Sequence, residues 1–330
     1  MYRLSRLAAT ALVACVAMTG SAAAQRLSLS TWGSPKHYQV AEFVPLFEKL
    51  LKEKSGGKLR LKIFEGGEMV KQAFVPTAIP QGTIDISLTT LDNWSGRVPD
   101  VGIVTTPLWD KSMEWTLKNL RPGNAVFDFF NTKLSKEGAV ILAMLDIGGP
   151  ALSLNFEVKS VDSLKNMPIR AYSKGSAELL QTLGAVPTII GVGDVYSALQ
   201  RGTVKGAMGG LGGAVGLKHY EVTSEFFIAN GALGTLTSAY VMNKEKFDSL
   251  SPELRKALRD AATEARDHTQ KALLSQQSKL LDQVRAAGKR VSVLQPGSAL
   301  WNEFTKRLEP LTASARKTYS KEAQAVLAKP

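Results

Sequence analysis

The feature that most limits how this chain can fold is one long stretch without a helix breaker. After Ser251 and Pro252, neither glycine nor proline occurs until Gly288. Ser251 can cap a helix, Pro252 fits the first helical position and Glu253 suits the positive helix start. Leu254, Leu258, Ala261, Ala265, Leu273, Leu280, Leu281 and Val284 roughly populate one side. A helix of ~35 residues rising ~1.5 Å each is a rod of about 50 Å, longer than one α/β lobe is wide. Such a rod is expected to bridge two lobes. A kinked pair of helices or an oligomerisation helix is the alternative.

The rest of the chain alternates short β-type runs with helical stretches, which predicts an α/β fold. Strands are expected at Leu27–Trp32, Lys58–Phe64, Thr83–Thr89, Val140–Leu145, Met167–Arg170, Thr188–Ile190, Val204–Ala207 and Ser238–Asn243. Helices are expected from Ser34-Pro35 to about Lys54 and over 69–80. One unit occurs twice. Residues 78–87 (AIPQGTIDIS) resemble residues 198–207 (ALQRGTVKGA), each a helix end, a glycine and an immediate strand. The repeat points to two similarly built lobes.

Residues 1–24 read as a signal peptide, and the mature protein is expected in the periplasm. Arg3 and Arg6 precede a short apolar run over residues 7–18, and Ala22-Ala23-Ala24 supplies the small-residue cleavage site before Gln25. The run is too short for a membrane anchor, which takes ~20 residues. Cys15 offers a second reading, a lipoprotein tether, but the apolar run continues past it. With ordinary cleavage the mature chain has no cysteine, so disulfides and thiolate chemistry are excluded. Removing residues 1–24 leaves 306 of 330 residues and takes the formal net charge from +12 to +10. The basic residues are dispersed, without a run or aromatic interleaving, so no nucleic-acid partner is expected. A mild bias toward anionic ligands is the better reading.

Several segments, in order and spacing, resemble the solute-binding proteins of tripartite ATP-independent periplasmic (TRAP) transporters. They are Ser163-Leu164-Lys165-Asn166-Met167-Pro168-Ile169-Arg170, Leu183-Gly184-Ala185-Val186-Pro187, the run from Asp194 to Gly202, Lys218-His219-Tyr220-Glu221-Val222 and Tyr240-Val241-Met242-Asn243-Lys244. The resemblance runs from Leu27 to about Ala262 and includes the long helix. It implies a two-lobed periplasmic binding protein fold that closes over a ligand, without catalysis and without a cofactor. The expected division is lobe I, residues 25–147 plus 236–270, and lobe II, residues 148–235 plus 271–330, with the cleft between them. The implied partners are a small carboxylate and the integral membrane TRAP permease subunits, and the protein is expected to be a monomer.

Arg170 is the leading site residue. It ends an expected strand, where open α/β sheets place ligand-binding groups, and its fork can grip both oxygens of a carboxylate. The family's carboxylate-binding arginine falls on this position. Tyr172 lies two residues on and shares its side; Lys174 opens the next helix, whose free amides favour an anion. From the first lobe, Trp32 ends the first strand where the resemblance implies a ligand-contacting side chain, and Thr89, Asn93 and Trp94, at and after the end of the third, are expected at the same cleft, with Gln72 a further candidate. A rim or packing role is the alternative for Tyr172, Lys174, Trp32 and Trp94.

The chain departs from the family at Gly209. Relatives carry there an asparagine that assists the carboxylate; here Gly209 and Gly210 leave backbone amides and space. The second arginine of sialic-acid-type relatives aligns near Pro150. These departures favour a monocarboxylate with a bulky apolar or aromatic body, with a sugar acid second. His37, His219 and His268 stand apart without metal-ligand spacing, so no metal is expected. A ligand-sensing protein for a signalling receptor, or a lyase or hydrolase using Asp146, are the competing readings.

Overall fold

In the computed structural model, residues 24–35, 37–107, 111 and 113–329 are described. Cys15 and all but the last residue of the expected signal segment 1–24 lie outside them. The strands form two sheets. The first contains β1 (Gln25–Ser30), β2 (Leu59–Phe64), β3 (Ile86–Thr90), β4 (Ala139–Asp146) and β10 (Thr237–Asn243), in the order β2-β1-β3-β10-β4. β1 pairs parallel with β2 and β3, and β10 inserts antiparallel between β3 and β4. The second contains β5 (Pro150–Leu154), β6 (Pro168–Ala171), β7 (Val186–Ile189), β8 (Gly206–Gly210), β9 (Glu225–Ile228) and β11 (Arg290–Val293), in the order β11-β9-β5-β8-β6-β7.

Each sheet is covered on both faces, because its side chains alternate between two cores. In β10, Tyr240 and Met242 join the cluster of Phe43, Phe47 and Leu258, whereas Ala239 and Val241 join that of Phe127, Phe130 and Ile141. The chain crosses between sheets at residues 147–149 and returns at 229–236. Gly148 and Gly234 both have φ +85°, which a residue with a Cβ rarely adopts. Gly149 packs so closely that a Cβ there would stand 3.3 Å from the Gly234 carbonyl oxygen. These two crossings join the sheets through short segments.

The breaker-free stretch is one continuous helix, Pro252–Ala286, capped by Ser251, whose Oγ accepts from the Leu254 N–H. Leu258, Ala261, Ala262 and Ala265 pack into the first lobe's core, while Val284 packs into the second lobe's with Leu280 and Leu281. It bridges both lobes.

Three strands escaped the sequence reading. β5 is buried along its whole length and shows no alternation, and β9 and β11 are only four residues long. The helix expected over 69–80 is instead a 3-10 turn, Gln72–Phe74, followed by a short helix, Val75–Ala78, with Pro76 in its first turn. The C-terminus also differs from the expected division. Helix Ala299–Thr318 gives Phe304 and Leu308 to the second lobe, but Tyr319, Ala323 and Val326 pack into the first lobe's core. The chain therefore ends on lobe I, because helix Lys321–Leu327 buries its apolar side against helix Ala125–Lys136.

Candidate functional site

Between the lobes lies a cavity that, with the solvent-open space at its mouth included, encloses about 610 Å³. Trp32, His37, Gln72 and Thr90 line it from the first lobe; Arg170, Tyr172, Met208, Gly209 and His219 line it from the second.

Arg170 lies on β6 between β7 and β8, paired with Thr188 and Ala207. Its Nε donates to the Ile190 carbonyl at 2.8 Å and its Nη1 to the Met208 carbonyl at 2.7 Å. These two bonds fix the plane of the guanidinium and use two of its five N–H groups. The side chain is buried, and burial pushes its pKa down to about 10, so it is still a cation at neutral pH. It forms no ion pair among the described residues. A buried cation without a carboxylate partner is costly unless something anionic joins it.

Gly209 adjoins it: a Cβ there would stand 3.6 Å from Arg170 Nη1. The ring of Tyr172 lies 5.9 Å from the guanidinium carbon, and burial with the nearby Asp92 charge pushes its phenol pKa upward. Two histidines complete the walls. His37 meets Trp32 edge-on, with ring centroids 4.6 Å apart. His219 Nδ1 lies 3.5 Å from Ser153 Oγ, and its Nε2 is buried with no hydrogen-bond partner among the described residues. Burial lowers the pKa of both to about 4, with the Arg170 charge adding to the effect at His219. Both rings are therefore neutral at pH 7.

Of the residues singled out from the sequence, Arg170, Trp32, Tyr172, Gln72, Gly209 and Gly210 line this cavity. The other four do not. β3 runs one residue further than expected, to Thr90, and the two-residue period then turns Thr90 rather than Thr89 toward the cavity. Thr89 is fully buried and donates to the Thr90 carbonyl. Asn93 sits behind the wall, its Nδ2 donating to Thr90 Oγ1 at 2.6 Å. Trp94 belongs to the first lobe's core with Leu91 and Val98. Lys174 points to solvent, 83% exposed, and pairs with Glu178 one turn on. Sequence reasoning missed Thr90, His37 and His219. The histidines are two of just three in the chain and His219 lies in a segment resembling the family, but nothing local turned either toward a cavity. Asp146, the acid weighed for an enzymatic reading, ends β4 and lines a separate cavity.

Comparison with known proteins agrees with this architecture. Residues 29–318 match the family described as bacterial extracellular solute-binding protein, family 7. A 2,3-diketo-L-gulonate-binding periplasmic protein of Escherichia coli K12 is 27% identical over 247 residues, 74% of each chain. A Bordetella pertussis extracytoplasmic solute receptor binding pyroglutamic acid superposes with a TM-score of 0.85 at 20% identity, covering 92% of this chain and 98% of that one. A TRAP solute-binding protein from Sulfitobacter with bound β-D-galacturonate gives 0.82 at 17%, covering 92% and 98%.

Proposed function

Because the chain belongs to the bacterial extracellular solute-binding proteins of family 7, we propose that it captures a small monocarboxylate in the periplasm on Arg170 and delivers it to a TRAP permease. The lobes close around the acid, and residues 1–24 are removed on export. Arg170 carries the reading: it is a buried guanidinium, charged at pH 7, unpaired with any carboxylate among the described residues, and aligned by two backbone carbonyls. A carboxylate on its remaining N–H groups neutralises the charge and satisfies the fork together. Gly209 leaves room beside Nη1 for that group. Relatives known for 2,3-diketo-L-gulonate, pyroglutamate and galacturonate all take carboxylates, which supports the ligand class.

The supporting cleft residues are Trp32, Gln72, Thr90, Tyr172 and the 209–210 backbone. Ligand transfer follows from lobe opening at the permease, with the crossings at 147–149 and 229–236 as the hinge. The test is calorimetry with an acid that co-purifies with the native protein, identified by mass spectrometry. Arg170→Ala should weaken its binding by ~2–5 kcal/mol, about 30-fold or more, and Arg170→Lys should restore little of it. Unchanged affinity in Arg170→Ala would sink the assignment.

A further inference from the structure

Behind the cleft lies a second cavity which, with the solvent-open space at its mouth included, encloses about 890 Å³. Helix Leu211–Gly216 stands between the two: Leu211 and Gly212 line this cavity, Gly213 and Ala214 the cleft. Both chain crossings reach its wall, through Gly148 and Gly149 and through Asn230 and Gly231. Asp146 is the one ionisable side chain that lines it among the described residues, and it is only 2% exposed. Gln270 of the long helix holds the Asp146 backbone twice. Its Oε1 accepts the Asp146 N–H at 3.0 Å, and its Nε2 donates to the Asp146 carbonyl at 2.9 Å. The carboxylate is left with one bond, from the Gly148 N–H to Oδ1 at 3.0 Å, and no donor meets Oδ2 among the described residues. The Arg266 charge is felt there, but its guanidinium is spent on the Met144 and Leu117 carbonyls and on Asp267.

We propose that this cavity is a second binding site, for a small alkylammonium ion whose N–H groups meet Asp146 Oδ2 while its hydrocarbon body lies against Leu211, Ile228, Leu273 and Leu280. Burial pushes the Asp146 pKa up to about 6, so at pH 7 the group is still an ionised carboxylate, held away from water. Such a charge is costly until a cation joins it, and an ammonium supplies both the charge and the missing donor. Thr235 also lines the cavity; its hydroxyl donates to the Val104 carbonyl at 3.0 Å and keeps its lone pairs for a further N–H. A divalent metal fits poorly, because it wants several oxygen ligands and no group of three acidic or metal-binding side chains stands together among the described residues. The apolar lining then favours an organic cation over a hydrated inorganic one. Arg170 does not line this cavity, so the site stands independently of the carboxylate reading.

The experiment is calorimetry on the native protein at pH 7.5 with n-butylammonium, n-pentylammonium and cyclohexylammonium chlorides, each against the alcohol of the same skeleton. Sodium chloride at equal concentration controls for ionic strength. At least one amine should bind one to one, about tenfold or more tightly than its alcohol. Asp146→Asn keeps the side chain's shape and an acceptor for Gly148, and should bring amine and alcohol within about threefold of each other. Circular dichroism verifies its fold. Arg170→Ala should bind the amine as the native protein does. The inference falls if no amine outdoes its alcohol, if sodium chloride raises the melting temperature as much as the amine, or if Asp146→Asn keeps the preference. Amine binding lost in Arg170→Ala would place the cation in the cleft and overturn it as well. None of these outcomes bears on whether Arg170 holds a carboxylate, which acid binding to the same variant decides.

Discussion

The Asp92 carboxylate of the first lobe lies against Gly175 in the first turn of helix Lys174–Thr182 of the second, so closely that a methyl at position 175 would stand 2.8 Å from Oδ1. The anion facing that helix start is thus a side chain of this protein, and it bridges the lobes. A second glycine contact is built alike: a Cβ at Gly213 would stand 2.8 Å from His37 Nε2. Both fix how near the lobes come.

Gly175→Ala and Gly213→Ala should therefore impede closure without touching Arg170. Each should lower ligand affinity about tenfold, or ~1.4 kcal/mol, mainly through faster dissociation. Small-angle scattering with saturating ligand should show a more open particle. Asp92→Asn, which removes the charge at the helix start, should cost about threefold to tenfold.

The pH dependence of stability should be set largely by His37 and His219. Folding lowers both from an unfolded value near 6.5 to about 4, so the native state binds fewer protons than the unfolded chain between these values. Stability should fall as pH drops through that window and level off below it. The loss should be on the order of 3 kcal/mol per histidine. Urea unfolding at pH 7.5 and 4.5 measures it, and His37→Leu or His219→Leu should flatten the difference.

Asp146 pulls the other way. Burial raises its pKa to about 6, against the opposing effects of the Gly148 N–H, which its Oδ1 accepts at 3.0 Å, and of Arg266. The native state therefore holds a proton that the unfolded chain releases near pH 4, and this contribution is lost as pH rises through 6. Asp146→Asn keeps an acceptor for Gly148 and sheds the buried charge. It should raise the melting temperature at pH 7.5 and leave it nearly unchanged at pH 4.

Gly209→Asp tests the unpaired cation directly. With the Cβ 3.6 Å from Arg170 Nη1, the new carboxylate can join the guanidinium. It should stabilise the fold, by about 1.5 °C for a gain of ~1 kcal/mol, and lower carboxylate affinity at least 100-fold. Gly209→Ala, whose methyl takes part of the room beside Nη1 without adding a charge, should weaken binding far less than Gly209→Asp. A Gly209→Asp protein that binds acids like the native one would count against Arg170 as the anchor.

Much of the frame was legible because its causes are local. Ser251, Pro252 and the absence of breakers act within a turn or along one helix, so the bridging rod could be read directly. Repeated helix–glycine–strand junctions pointed to two lobes for the same reason. Arg170 at a strand end, within segments resembling a known family, led to the cleft. The sequence alone thus determined the α/β class, the two lobes, the long helix and the leading cation.

The tertiary structure decided which side chains meet across the gap. β3 ends one residue later than expected, at Thr90, and that exchanged Thr89 for Thr90, since a strand's period of two turns a one-residue difference into a change of face. His37 and His219 lie far apart in the chain and reach one cavity only because the two lobes fold against each other. Their neutrality, the depressed pKa of Arg170 and the raised pKa of Asp146 follow from desolvation, which depends on everything packed around a group. No local pattern encodes that surrounding, so only the folded chain could supply it.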